Sequence, residues 1–152
     1  MSLELLEARS LLSNVSVNDP SEDFVFPNGG GRLTQSETST AVANDGTLIS
    51  AFNDTEETLC NFLTRDEHAT SYAYSTDGGK TFTDAGSLPE SDDGDGSDPI
   101  LAVNRTNGHV YFTAVSAFSF NVVQFFKSAD NGRTFGTSVN AFPNLLVSDF
   151  PD

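Results

Sequence analysis

The 152-residue sequence has one cysteine, Cys60, no tryptophan, one methionine and two histidines, His68 and His109. A single cysteine excludes an internal disulfide and a cysteine-based zinc site, and two histidines are too few to replace one. An exported protein that avoids thiols and a cytosolic protein with one buried thiol fit that count equally, so the redox compartment stays open. Basic residues are scarce as well: 7 Lys and Arg stand against 22 Asp and Glu, a net charge of -15. A surface of that sign repels phosphate backbones and anionic lipid, which argues against nucleic acid and the membrane surface as partners. No apolar run is long enough to span a bilayer, and the first thirteen residues lack a basic segment followed by an apolar one. Membrane insertion and a classical signal peptide are therefore not expected.

What the sequence does have is a β pattern. From Gln35 onward, short runs rich in Thr, Val, Ile and Phe alternate with turn dipeptides, and no apolar repeat at helical spacing is sustained. Strands are predicted over 38–43, 47–52, 71–75, 100–103, 110–115 and 122–127. Asp45-Gly46 and Asn107-Gly108 fall between the first pair and between the fourth and fifth, as tight hairpins require. Residues 1–33 divide from this region as an N-terminal tag and irregular lead-in containing Gly29-Gly30-Gly31, leaving 34–152 as one all-β segment.

Internal repetition is the most informative feature. Residues 75–82 read Ser-Thr-Asp-Gly-Gly-Lys-Thr-Phe and residues 128–135 read Ser-Ala-Asp-Asn-Gly-Arg-Thr-Phe, without gaps. Upstream, residues 36–42 lie on residues 97–103, each with an acidic residue after serine and Ala-Val at the end; residues 148–152 begin a third copy. Each unit contains a first strand, a hairpin, a further strand and the Ser-x-Asp turn, the content of a four-stranded propeller blade. In such a turn Asp77 and Asp130 accept backbone N–H bonds and Gly79 and Gly132 take the left-handed conformation. Ser75 and Ser128 open the turn and the hydroxyls of Thr81 and Thr134 close it. Phe82 and Phe135 are expected to bury their rings between neighbouring sheets.

The two octets resemble the Asp-boxes, or bacterial neuraminidase repeats, of the sialidase-type β-propeller superfamily, with phenylalanine where many members carry tryptophan. Residues 35–42 with Phe52-Asn53-Asp54 resemble the opening blade of sialidase-like exported bacterial proteins. Leu6-Glu7-Ala8-Arg9-Ser10-Leu11-Leu12 resembles a Leu-Glu-Pro-Arg-x-Leu-Leu tag of bacterial surface proteins, with Ala8 for the proline. Together these imply a partial propeller, about two blades and the start of a third, at the cell surface or outside the cell. The resemblance also implies what catalysis would need: three arginines on a substrate carboxylate, a tyrosine nucleophile with a glutamate partner, and an aspartate acid/base. Arg133 lies in an octet and Arg105 in a hairpin, where exposure is the default, and Arg9 belongs to the tag. Only Arg32 and Arg65 are left for a pocket. Tyr72, Tyr74 and Tyr111 fall inside strands, where packing is the usual duty. No catalytic residue is assigned.

Two acidic groups are candidate sites. Glu37, Asp98 and Asp149 repeat at the start of the first strands and would form an arc on one face, with Arg32 near it: a binding face for a glycan or protein, or a solvated rim. Asp92, Asp93 and Asp95, interleaved with glycines, could hold calcium, although the loop lacks a closing bidentate glutamate and such runs are normally solvated. No other cofactor is expected. Because propellers close with four to eight blades, closure here requires the remaining blades of a longer chain or self-association. The expected function is noncatalytic glycan or protein binding; the alternative is the N-terminal part of a sialidase-like exo-glycosidase.

Overall fold

The computed structural model describes residues 15–18, 36–54, 69–89, 94–116 and 122–142. Eight strands make two antiparallel meanders. The first sheet runs in order β1 (Ser36–Val42), β2 (Leu48–Asn53), β3 (Thr70–Ser75) and β4 (Thr83–Ser87); the second runs β5 (Ser97–Val103), β6 (Val110–Val115), β7 (Val123–Ser128) and β8 (Val139–Asn140). Short β4 and β8 were not legible in the sequence, since Thr-Asp-Ala-Gly-Ser and Val-Asn carry almost no apolar alternation.

The strands follow from period-two patterning. Along β6, Val110, Phe112 and Ala114 are buried while Tyr111, Thr113 and Val115 are half-buried. The buried set faces the first sheet, where Ile49, Ala51 and Tyr72 meet it, and Phe126 and Phe135 complete a common core. The rings are fixed by edge-to-face packing: Phe135 lies 5.0 Å from Tyr72 and 5.7 Å from Phe112, and Phe112 lies 6.1 Å from Phe126. Each such pair adds about 0.5–1.5 kcal/mol to its burial.

β5 packs along β1 and β2, whereas β4 and β8 have no comparable contact, so the sheets lie close at their first strands and separate outward. Polar ties close the interface at both ends. Leu101 N–H donates to Ser39 Oγ at 3.0 Å, and Ala69 and Thr70 N–H donate to the buried Asp95 Oδ1 at 2.9 and 3.2 Å. At the other end Arg133 Nη2 donates to Asp45 Oδ2 at 2.7 Å and to Thr47 Oγ1 at 3.0 Å, and Tyr72 hydroxyl donates to Arg133 carbonyl at 3.2 Å.

Antiparallel register separates the functions of the two ends. Val42 pairs with Leu48, Leu48 with Ser75 and Tyr74 with Thr83, so the β1–β2 hairpin and the first Ser-x-Asp turn share one end. Ser36 pairs with Asn53 and Asn53 with Thr70, placing Glu37 at the opposite end. The second sheet repeats this, with Ser97 opposite Val115 and Val110 opposite Ser128.

Candidate functional site

Glu37 and Asp98 have the same unusual backbone. Their φ angles are +53° and +56°, in the left-handed region that non-glycine residues seldom occupy, and each sits in a register shift at the start of its sheet's first strand. The shift turns both carboxylates outward, and both residues are exposed. Asn53, at the end of β2, joins them: its Nδ2 donates to Glu37 Oε2 at 2.7 Å, and its Oδ1 accepts from Asp98 N–H at 3.1 Å across the sheet interface. Ser97 hydroxyl donates to Asp98 Oδ2 at 3.1 Å. The amide therefore holds two blades' carboxylate loops in one arrangement, leaving acceptor oxygens toward solvent. Asp149 and Arg32, assigned to the same face from sequence, lie outside the described residues.

Charge is distributed unevenly between the two ends. Among the described residues, Glu37, Asp54, Asp95 and Asp98 lie at the carboxylate end. Arg105, Arg133, Lys80 and Lys127 all lie toward the turn end. The outward carboxylates of Glu37 and Asp98 suit hydroxyl or ammonium donors.

The turn end is built for structure. In the first octet Asp77 Oδ1 accepts from Lys80 and Thr81 N–H at 2.9 and 3.0 Å, its Oδ2 from Thr81 hydroxyl at 2.7 Å, and Ser75 Oγ accepts from Gly79 N–H at 2.9 Å. The second copies it: Asp130 Oδ1 accepts from Arg133 and Thr134 N–H at 3.2 and 3.0 Å, Oδ2 from Thr134 hydroxyl at 2.7 Å, and Ser128 Oγ from Gly132 N–H at 2.8 Å. Thr81 hydroxyl, Thr81 N–H and Ser75 hold the Asp77 carboxyl well below the usual carboxylate range. Burial pushes Asp130 upward, but the bonds from Ser128, Thr134 and Arg133 outweigh it and the net direction is down.

The two phenylalanines differ. Phe135 is buried between the sheets as expected, whereas Phe82 is half-buried on the far side of the first sheet, beside residues 15–18. The reason is directional: this ring faces the sheet that precedes its own in sequence, and for Phe82 the described residues contain no such sheet. Arg133 also departs from the exposure expected of it, since it is half-buried and ion-paired with Asp45.

Tyr72 is tied to a carbonyl, and its phenol is pushed up to about 12 by burial, then by the Asp130 charge and Tyr74, which favours the neutral form. Glu37, the one glutamate among the described residues, lies at the opposite end from that hydroxyl. Asp95 is fully buried and accepts backbone N–H groups; Asp92 and Asp93 lie outside the described residues. No group of three or more potential metal ligands occurs among the described residues. Beside Asp95, the Thr70 hydroxyl is buried without a hydrogen-bond partner. Asn53, quoted in the sequence only as part of the opening-blade resemblance, is the residue that links Glu37 to Asp98, and the register that sets it opposite Ser36 reveals this.

No family model matches the sequence, and no curated protein sequence matches it. Solved structures do. An α-L-arabinofuranosidase from Fusarium graminearum shares 21% identity over 87% of this chain and 38% of that one, with a TM-score of 0.58. An α-L-arabinanase from Penicillium chrysogenum shares 16% over 83% and 35%, also at 0.58. A Hadza microbial sialidase shares 20% over 70% and 25%, at 0.50. The fold is a partial β-propeller. Its two sheets are two four-stranded blades, and the chain spans between a quarter and two-fifths of the length of those neighbours.

Proposed function

We propose that this chain is a noncatalytic, two-blade segment of an Asp-box propeller that binds a neutral glycan at its carboxylate end, and that it belongs to an exported bacterial protein. The observation that carries the reading is the repeated outward-turned carboxylate, Glu37 and Asp98, joined through Asn53. Carboxylate and amide oxygens accept pairs of sugar hydroxyls, while the charge of Glu37 and Asp98 repels a carboxylated sugar. The Ser-x-Asp turns serve the blades, as Asp-boxes do, from the opposite end. An extracellular or cell-surface location goes with the tag-like opening segment. Structural neighbours named for arabinose-containing glycans favour the sugar over a protein ligand.

Titration calorimetry with arabinobiose and, separately, 3′-sialyllactose tests it. Binding of the neutral sugar alone, lost in Glu37→Ala/Asp98→Ala with the melting temperature kept within a few degrees, is the expected result. Preference for the sialylated ligand, or unchanged binding by the variant, would refute it. The second reading, a first part of an exo-glycosidase completed by further blades, is favoured by the sialidase and arabinofuranosidase neighbours. It requires hydrolysis by a longer protein of a fluorogenic glycoside that this chain leaves intact.

A further inference from the structure

The repeat predicts what should stand against each blade, and among the described residues no sheet stands against the outer face of the second sheet or the turn end of the first. Position by position, the outer face of the second sheet corresponds to the face of the first sheet that is covered. Tyr111 stands where Ile49 does, Thr113 where Ala51 does, Phe125 where Tyr72 does and Ile100 where Ser39 does. Yet Tyr111 and Phe125 are half-buried, with ring centroids 5.1 Å apart, and Ile100 is 62% exposed. In the covered copy of this face, Tyr72 meets the turn phenylalanine Phe135.

The complementary surface is a groove of about 450 Å³ beside Phe82, the first turn's phenylalanine, walled by Lys80 and Asp84 on one side and Val15 and Val17 on the other. Phe82 is the counterpart of Phe135, which meets the Tyr72 ring in the second repeat. The remainder of that face, Phe52 and Ala73, is already buried, so a contact there is confined to the turn end.

We propose that a second copy of this chain docks head to tail, inserting Phe125 with Tyr111 and Ile100 beside it into the Phe82 groove. Such a contact repeats only the turn part of the intramolecular blade interface, and it is heterologous. It is small, so the association is weak and concentration-dependent. The ion pair of the internal interface is not reproduced: Lys80 takes the position of Arg133, but Asn107, before its turn glycine, takes that of Asp45. With no pair to screen and a net charge of -15 to overcome, added salt strengthens the contact.

Analytical ultracentrifugation from 20 µM to 1 mM, at 0.05 and 0.5 M salt, reads the association directly. Self-association that rises with salt is expected in the unmodified chain. Phe82→Asp and Phe125→Asp should each abolish it, and an equimolar mixture should form a one-to-one heterodimer, since each variant keeps the surface the other has lost. Ile100→Glu, at an exposed position, replaces Phe125→Asp if that variant melts below the others. A monomer at 1 mM and high salt overturns the proposal and leaves the face to a further blade in a longer chain. Association that persists in Phe82→Asp alone, or a mixture that stays monomeric, also overturns it.

Discussion

Gly132→Ala isolates the interface between the blades. Gly132 has φ +85°, and a Cβ there would stand 2.5 Å from Cγ1 and 2.9 Å from Cδ1 of Ile49, a fully buried residue of the other sheet. Two penalties add: about 1–2 kcal/mol for a left-handed alanine and about 1–3 kcal/mol for overpacking a core with no room to relax. Gly79→Ala is the internal control. It has the same φ of +85° in the equivalent turn, but its Cβ would meet only the Leu48 Cδ1 at 3.1 Å, the end of a flexible side chain of its own sheet. The first substitution should lower the melting temperature by roughly 4–20 °C and the second by roughly 2–8 °C, the first always by more. Ile49→Ala removes the obstructing carbons at about 2–4 kcal/mol of its own. Combined with Gly132→Ala it should destabilise by at least about 1 kcal/mol less than the two singly. Urea denaturation followed by circular dichroism measures all four proteins. Equal effects of the two glycine substitutions, with additivity in the double variant, would mean that the second turn does not sit on the first sheet.

Three further outcomes follow from the polar groups. Asp45, Asp77 and Asp130 all titrate below their ordinary value when folded, Asp45 first through the Thr47 N–H bond, so they contribute stability above the unfolded carboxylate value of about 3.9. That stability is lost as pH falls through their lower folded values; the melting temperature should drop steeply below about pH 4, less steeply in Asp130→Asn, and a matching acid limb in that variant would refute the assignment. Thr70→Val removes a buried hydroxyl that has no partner and should be neutral or stabilising by up to about 1 kcal/mol in urea denaturation; a loss above about 1 kcal/mol would reveal a partner. Calcium at 2 mM should leave the melting temperature unchanged, because Asp95 Oδ1 is already engaged by two backbone donors; a rise of several degrees would place a cation in the 92–98 loop.

Repetition made the blades legible. Octets containing Asp77 and Asp130 and the Ser-acidic pairs at Glu37 and Asp98 each recur in sequence, and each pair has the same backbone geometry in both sheets. What repetition could not convey is which sheet a turn faces. The sequences around Phe82 and Phe135 are nearly identical, but among the described residues only Phe135 has a preceding sheet beneath it. Arg133 and Asp45 are 88 residues apart, and no local pattern joins them; their pairing depends on the blades being stacked. Asn53 was illegible for a different reason. It links Glu37 to Asp98 through one amide, a single unrepeated residue whose counterpart in β6, Val115, cannot form such bonds.

Nitrogen-15 NMR during titration with arabinobiose locates binding on the molecule. The account predicts shifts concentrated at the Asn53 side-chain amide and the Asp98 backbone N–H, with the Gly79 and Gly132 N–H groups of the opposite end unmoved. Shifts centred on those two turns, with the Asn53 and Asp98 signals unchanged, would contradict it.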